Sequence, residues 1–192
     1  MRRVLMALTI SILLPVGPAL AGIGKHNGEI GFDFGSGRFD RNLTDSTGAR
    51  FTIRGGYHFT DWFQIEGENV GMATSGPLGS IDSDVTIGAS FVNGVFNLFH
   101  SKSGVVVPYV LGGVGLATVR IHFDGFGNDD DTGGASQLAF GSRFFFGRYK
   151  GAAVRVEADL MRHRTTGFAI ADQRYREKSF TAGFTWRIGA RR

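Results

Sequence analysis

Residues 180–188, FTAGFTWRI, limit what this chain can fold into more than any other stretch. Phe180, Ala182, Phe184, Trp186 and Ile188 recur at period two, and Thr181, Gly183, Thr185 and Arg187 fill the alternate positions. That period belongs to a β-strand and not to a helix. One face carries large apolar side chains and the other small or polar ones, which suits a strand with lipid on one side and a crowded polar interior on the other. In lipid no backbone donor or acceptor can be left unpaired, so a terminal strand of this kind must pair back onto the first strand and close a barrel.

The same alternation runs through the chain. A first strand is expected over residues 29–39, with Ile30, Phe32 and Phe34 outward and Glu29, Gly31, Asp33 and Gly35 inward. The second sets Phe51, Ile53, Gly55, Tyr57 and Phe59 against Arg50, Thr52, Arg54, Gly56 and His58; the third sets Phe63, Ile65 and Gly67 against Gln64, Glu66 and Glu68. The fourth begins at Val85 with Val85, Ile87, Ala89 and Phe91 in phase, but VNGVFNLF is ambiguous between faces, as a bulge or an early exit from the bilayer would make it. In the fifth, Val119, Ile121 and Phe123 oppose Thr118, Arg120 and His122; a sixth is expected over residues 137–146. The seventh sets Ala152, Val154, Val156, Ala158 and Leu160 against Arg155, Glu157 and Asp159. Polar or Gly-rich stretches at 40–47, 72–82, 124–134 and 162–178 read as long loops, and 60–62, 100–104 and 147–151 as tight connections. Alternating long and short connections define an all-β, eight-stranded antiparallel up-and-down transmembrane β-barrel with both termini on the side of the short turns, expected to be the periplasm.

Arg2 and Arg3 precede an apolar run over residues 4–14, and Ala19 and Ala21 are small residues suited to a processing site. Residues 1–21 are therefore read as a signal peptide and 22–192 as the barrel domain. The run is shorter than the roughly 20 residues of a spanning helix, and Pro15 and Pro18 prevent its extension. The chain has no cysteine, so no disulfide framework holds it. The formal net charge of +4 includes the two leader arginines, and nucleic-acid binding is not indicated.

A soluble barrel with the apolar face turned inward would alternate similarly. The polar face decides against it, because it repeatedly uses Gly31, Gly35, Gly56, Gly88, Gly141 and Gly183 where a solvated surface would carry long side chains. Charges of both signs on that face define an expected lumen network of Glu29, Asp33, Arg54, Glu66, Glu68, Arg120, Arg143, Arg155, Glu157, Asp159 and Arg187. His58 and His122 are expected as polar fillers of the same lumen. Of two registers for the sixth and seventh strands, the one opposing Arg143 to Glu157 is expected over the one opposing Arg143 to Arg155, since it avoids facing like charges.

GYHFTDWFQIEGE (residues 56–68), VPYVLGGVGLATV (107–119) and FTAGFTWRIG (180–189) resemble the small outer-membrane β-barrel proteins of the OmpA-like and opacity-protein-like group. The resemblance implies an outer-membrane location, insertion by the barrel-assembly machinery through the terminal strand, and architecture rather than a particular activity. His163-Arg164-Thr165 is similar in position to the His-x-Ser element of outer-membrane lipid A deacylases, with Thr in place of Ser and no acidic partner assignable.

Two other clusters bear on function. Asn128 and Asp129-Asp130-Asp131 in a Gly-rich stretch offer oxygen ligands, but Phe140 stands where a calcium loop needs Glu, so a solvated acidic loop is expected, with no metal and no cofactor. Arg162, Arg164, Arg174, Arg176 and Lys178 are candidate contacts for lipopolysaccharide phosphates, the alternative being an ordinary solvated loop. The expected function is that of a non-enzymatic, monomeric outer-membrane barrel contributing to envelope integrity or to surface interaction with an extracellular ligand. A lipid-modifying enzyme and a small pore are its rivals. The intact mass of membrane-extracted protein should correspond to a chain beginning at Gly22; a mass retaining residues 1–21 would refute the leader assignment.

Overall fold

The computed structural model describes residues 27–41, 43–44, 46–78, 81–98, 105–123, 127–146, 151–165 and 173–188. The leader expected over residues 1–21 and its expected processing site lie outside the described residues. Eight strands succeed one another: β1 Gly28–Arg38, β2 Thr47–His58, β3 Phe63–Leu78, β4 Ile81–Asn97, β5 Val106–Phe123, β6 Gly127–Phe146, β7 Ala152–Thr165 and β8 Gln173–Ile188. Each pairs antiparallel with its neighbours, and β1 pairs with β8 from Gly28↔Ile188 to Arg38↔Lys178, closing the barrel. β1 begins and β8 ends at one rim, here the terminal rim; the opposite rim is the distal one.

In the half nearer the terminal rim the alternation has its expected sense. Ile30, Phe34, Ile53, Ile65, Phe140 and Phe184 are exposed on the outer wall. Rings meet across strands, as in Phe32 against Trp186 at 5.6 Å over the β1–β8 seam and Trp62 against Phe96 at 6.1 Å near the terminal rim. Such a belt of outward apolar and aromatic residues is the lipid-facing surface of an outer-membrane barrel.

Nearer the distal rim the sense inverts. Val85, Ile87, Ala89 and Phe91 of β4, with Val119 and Ile121 of β5, point inward and are buried. Ser90, Thr86 and Asp84, and Arg120 and His122, point outward. On this outer wall Ser90 Oγ donates to Asn69 Oδ1 at 2.8 Å, and the Thr118 and Thr132 hydroxyls pair at 2.8 Å. No bulge intervenes: β4 keeps an unbroken register with β3 from Phe63↔Phe96 to Leu78↔Ile81 and with β5 from Ser83↔Phe123 to Asn97↔Tyr109. The ambiguity of VNGVFNLF thus arises at the crossover, where the strand leaves the bilayer and apolar side chains turn from the wall to the interior. Inside, Phe39, Leu43, Met72, Ile87, Val119, Met161 and Tyr175 belong to one apolar cluster that fills the distal mouth.

The long loops expected at 72–82, 124–134 and 162–178 are mostly strand. Gly, Asp and Arg suggest loop chemistry there, but neighbouring strands supply the ladder, so β6 already begins at Gly127 and β8 at Gln173. Gly88, Arg120 and His122, expected in the lumen, instead face outward, because the sense of the alternation changes beyond the crossover.

Two measurements check this architecture. The folded barrel should migrate differently on a denaturing gel before and after boiling, since its backbone is fully paired by closure. With no native cysteine, Thr86→Cys should react with a polar maleimide while Ile87→Cys should not; the reverse would place Ile87 on the outer wall.

Candidate functional site

Two features outside the apolar belt carry chemistry: the polar lumen and a basic flank of the distal outer wall. The lumen network arises from period two on successive strands, and three of them supply most of its charges. Arg50 and Arg54 of β2, Gln64, Glu66 and Glu68 of β3, and Arg155, Glu157 and Asp159 of β7 all project inward and are buried. Arg155 bridges Glu66 at 2.9 Å and Glu157 at 2.6 Å. Arg54 reaches Asp33 at 2.5 Å, Glu66 at 3.2 Å and Glu157 at 3.4 Å. Arg50 binds Asp159 at 2.5 Å and Glu68 at 3.3 Å, and donates to the Ser179 hydroxyl. The other Glu68 oxygen accepts from Asn93 at 2.8 Å and Gln137 at 2.7 Å.

Nearer the terminal rim, Arg143 pairs with Glu29 at 3.2 Å and donates to Gln64 at 2.7 Å and Asn97 at 3.3 Å; the His58 imidazole lies 3.1 Å from Glu29. Arg187 is half-buried, its guanidinium 3.9 Å from the Phe145 ring centroid. Glycines make the space for these side chains. A Cβ at Gly141 would collide with Tyr109, and one at Gly113 with Asn93.

The register of β6 and β7 opposes Arg143 to Arg155 and Gly141 to Glu157, contrary to the expectation that Arg143 would face Glu157. Both arginines are 0% exposed, so the opposition is not relieved by water. It is relieved by Tyr109: the guanidiniums lie 4.7 Å and 4.6 Å from its ring centroid, and its hydroxyl donates to Glu157 at 2.7 Å. The two heads then diverge to different carboxylates, Glu29 and Glu66. A cross-strand pair is worth only about 0.2–1 kcal/mol, whereas an unpaired buried charge costs several kcal/mol, so partners reached across the lumen decide the arrangement.

Every member of the expected network therefore lines the lumen except Arg120, which is exposed on β5 opposite Asp130. Sequence reasoning leaves out Arg50, although it shares the inward phase of Arg54. It reads Gln64 as inward but leaves it out of the network, and it misses Tyr109, hidden in an apolar run, and the amides Asn93 and Gln137.

His163 points into the barrel at 3% exposure, its Nε2 3.1 Å from Glu177 Oε1 and its ring stacked on Tyr175 at 5.1 Å. Glu177 is the acidic partner that the sequence alone does not assign. A general base must be within reach of its substrate's proton; the His163 ring here faces Glu177 and Tyr175 inside the barrel. The Thr165 side chain lies outside the described residues. Asp129, Asp130 and Asp131 belong to β6, opposite Ile121, Arg120 and Val119, and no metal-holding cluster of His, Cys, Asp or Glu occurs among the described residues.

The basic flank is likewise built on strands, not on a loop. Arg162 and Arg164 of β7 and Arg174, Arg176 and Lys178 of β8 all face outward and are exposed. The ladder places Arg162 opposite Arg176, Arg164 opposite Arg174, and Lys178 opposite Arg38 of β1. Asp40 accepts a hydrogen bond from the Arg176 backbone N–H at 2.9 Å.

A closed eight-stranded antiparallel barrel with an apolar outer belt and a charged, filled interior defines an outer-membrane β-barrel protein. The chain belongs to the outer membrane protein beta-barrel domain family, whose pattern matches residues 6–187. No curated protein sequence matches it. Among solved structures it is similar to Neisserial surface protein A, with a TM-score of 0.68 at 12% identity, covering 84% of this chain and 97% of that one. It is also similar to Ail, the attachment invasion locus protein of Yersinia pestis, in complex with the heparin analogue sucrose octasulfate, with a TM-score of 0.57 at 14% identity over 85% of this chain and 99% of that one. The N-terminal barrel of Pseudomonas aeruginosa OprF gives 0.51 at 15% identity over 86% and 99%. At these identities the likeness is one of fold.

Removing either Arg155 or Glu66 should destabilise the barrel by up to about 3–5 kcal/mol in urea unfolding from detergent, because the other charge stays buried with part of its ion pairing lost. The Arg155→Ala/Glu66→Ala pair should lose clearly less than the sum of the single losses, and the Arg143→Ala/Glu157→Ala pair should be closer to additive. Equal coupling in both cycles would contradict the observed pairing.

Proposed function

We propose that this protein is a sealed, non-enzymatic outer-membrane barrel that presents its distal rim at the cell surface and contributes to envelope integrity or to surface interaction. The filled interior is the observation that carries this reading. The guanidinium–carboxylate network occupies the lumen at the level of the apolar belt, and the cluster around Phe39, Ile87, Val119 and Met161 occupies the distal mouth. Among the described residues both levels of the lumen are occupied by buried side chains, which counts against the water-lined path that a pore requires. The buried setting of His163 counts against a lipid-modifying enzyme.

The outward orientation of the distal rim is argued from topology. In this architecture the termini and short turns face the periplasm, and the strand extensions with a polar outer wall emerge on the other side. Closure of β1 onto β8 leaves no strand edge in the bilayer, which supports a monomer. Two proteins of similar fold bear names of surface or attachment proteins, in keeping with this reading.

Planar-bilayer recordings of the refolded protein should show no discrete conductance steps, and steady opening events would favour the pore. Thr86→Cys should be labelled by a membrane-impermeant maleimide in intact cells; labelling only after outer-membrane disruption would reverse the orientation. Lipid A mass spectra should be the same with and without the protein.

A further inference from the structure

The outward face of β7 and β8 changes character abruptly. From the terminal rim it is apolar through Val154, Val156, Ala158 and Leu160 on β7 and through residues 188–180 on β8, a run matching the roughly 9–11 residues with which a strand crosses a bilayer. The next outward positions are Arg162 and Arg164 on one strand and Lys178, Arg176 and Arg174 on the other. Lys178 lies directly opposite Leu160, so the cations begin where the apolar belt ends, at headgroup depth. Arg38 of β1, opposite Lys178, continues the patch onto a third strand.

Arg162 stands directly opposite Arg176, and like charges directly across a ladder repel. The rest of the wall at comparable height is built differently, with Ala49, Ala73, Gly88, Thr118 and Ser136 outward. A dense, one-sided set of guanidiniums at the edge of the hydrocarbon is suited to bind multiply charged phosphate groups, each able to accept paired N–H donors and to neutralise opposed cations.

We propose that the outward flank formed by β7, β8 and the end of β1 is a binding site for a phosphorylated glycolipid of the surrounding leaflet, its acyl chains lying along the apolar wall below and its phosphates held by Arg162, Arg164, Arg174, Arg176 and Lys178. The identity of that leaflet as the outer one rests on the orientation given above. The depth of the patch selects a membrane-resident ligand, because the cations adjoin the lipid-facing surface instead of crowning the rim.

The test uses the folded full-length barrel in phosphatidylcholine nanodiscs doped with bisphosphorylated lipid A or with its dephosphorylated form, read by native mass spectrometry. Bisphosphorylated lipid A should be retained on the ejected barrel and the dephosphorylated form should not. Arg162→Ala/Arg176→Ala should lower retention by about tenfold or more, while Arg120→Ala, an exposed arginine on β5, should leave it unchanged. Heat-shifted gel migration verifies that each variant is folded. Equal retention of the two lipid forms, or equal losses in the two variants, would overturn the proposal. So would phosphate-independent binding accompanied by tight binding of soluble sucrose octasulfate to the same arginines, which would assign the flank to a soluble polyanion. Disc binding does not depend on how the barrel faces in the cell, so a failure of surface labelling at Thr86→Cys would revise the orientation without touching this result.

Discussion

The requirement that every backbone N–H and C=O in hydrocarbon find a partner is what the rest of this structure depends on. It demands that β8 pair with β1, and the seam from Gly28↔Ile188 to Arg38↔Lys178 meets that demand. Closure then produces an interior, and the interior creates the second problem, how to fill a narrow polar space without water. The chain solves it with glycines where rings and amides need room and with long charged side chains that reach across the lumen to one another.

The barrel meets two solvents with one set of strands. Within the belt, polar groups face in and apolar groups face out; beyond it, the same unbroken ladders carry apolar groups in and polar groups out. β4 makes the change between Val92, exposed on the wall, and Ile87, buried in the distal cluster, without a bulge. Because the side-chain period is two, the inversion needs only a change in which parity is apolar. The distal half is therefore held mainly by hydrophobic burial and the proximal half mainly by a charge network, each suited to its surroundings.

The network also shows why pairwise reasoning along a hairpin is insufficient inside a barrel. Opposing Arg143 to Arg155 is unfavourable for two strands taken alone. Tyr109 from β5, Glu29 from β1 and Glu66 from β3 reverse that balance, because the enclosed geometry gives each guanidinium a carboxylate and a shared ring. On the outer wall no such lumen partner is available to Arg162 and Arg176, and the same kind of opposition there points instead to an external anion.

Alternation in FTAGFTWRI, RFTIRGGYHF and FQIEGE is legible in the sequence and determined the strands, the number of them, the closure and most of the inward charges. These are properties of period and composition, which a linear chain displays directly. The sidedness of Val85–Phe91 and of Arg120 is not legible, because an apolar residue at period two faces lipid or a core depending on its height, and height is set only once the strands are aligned. Nor is the register of β6 on β7, or the role of Tyr109. Both depend on side chains brought from strands distant in sequence into one lumen, and only the closed barrel brings them there.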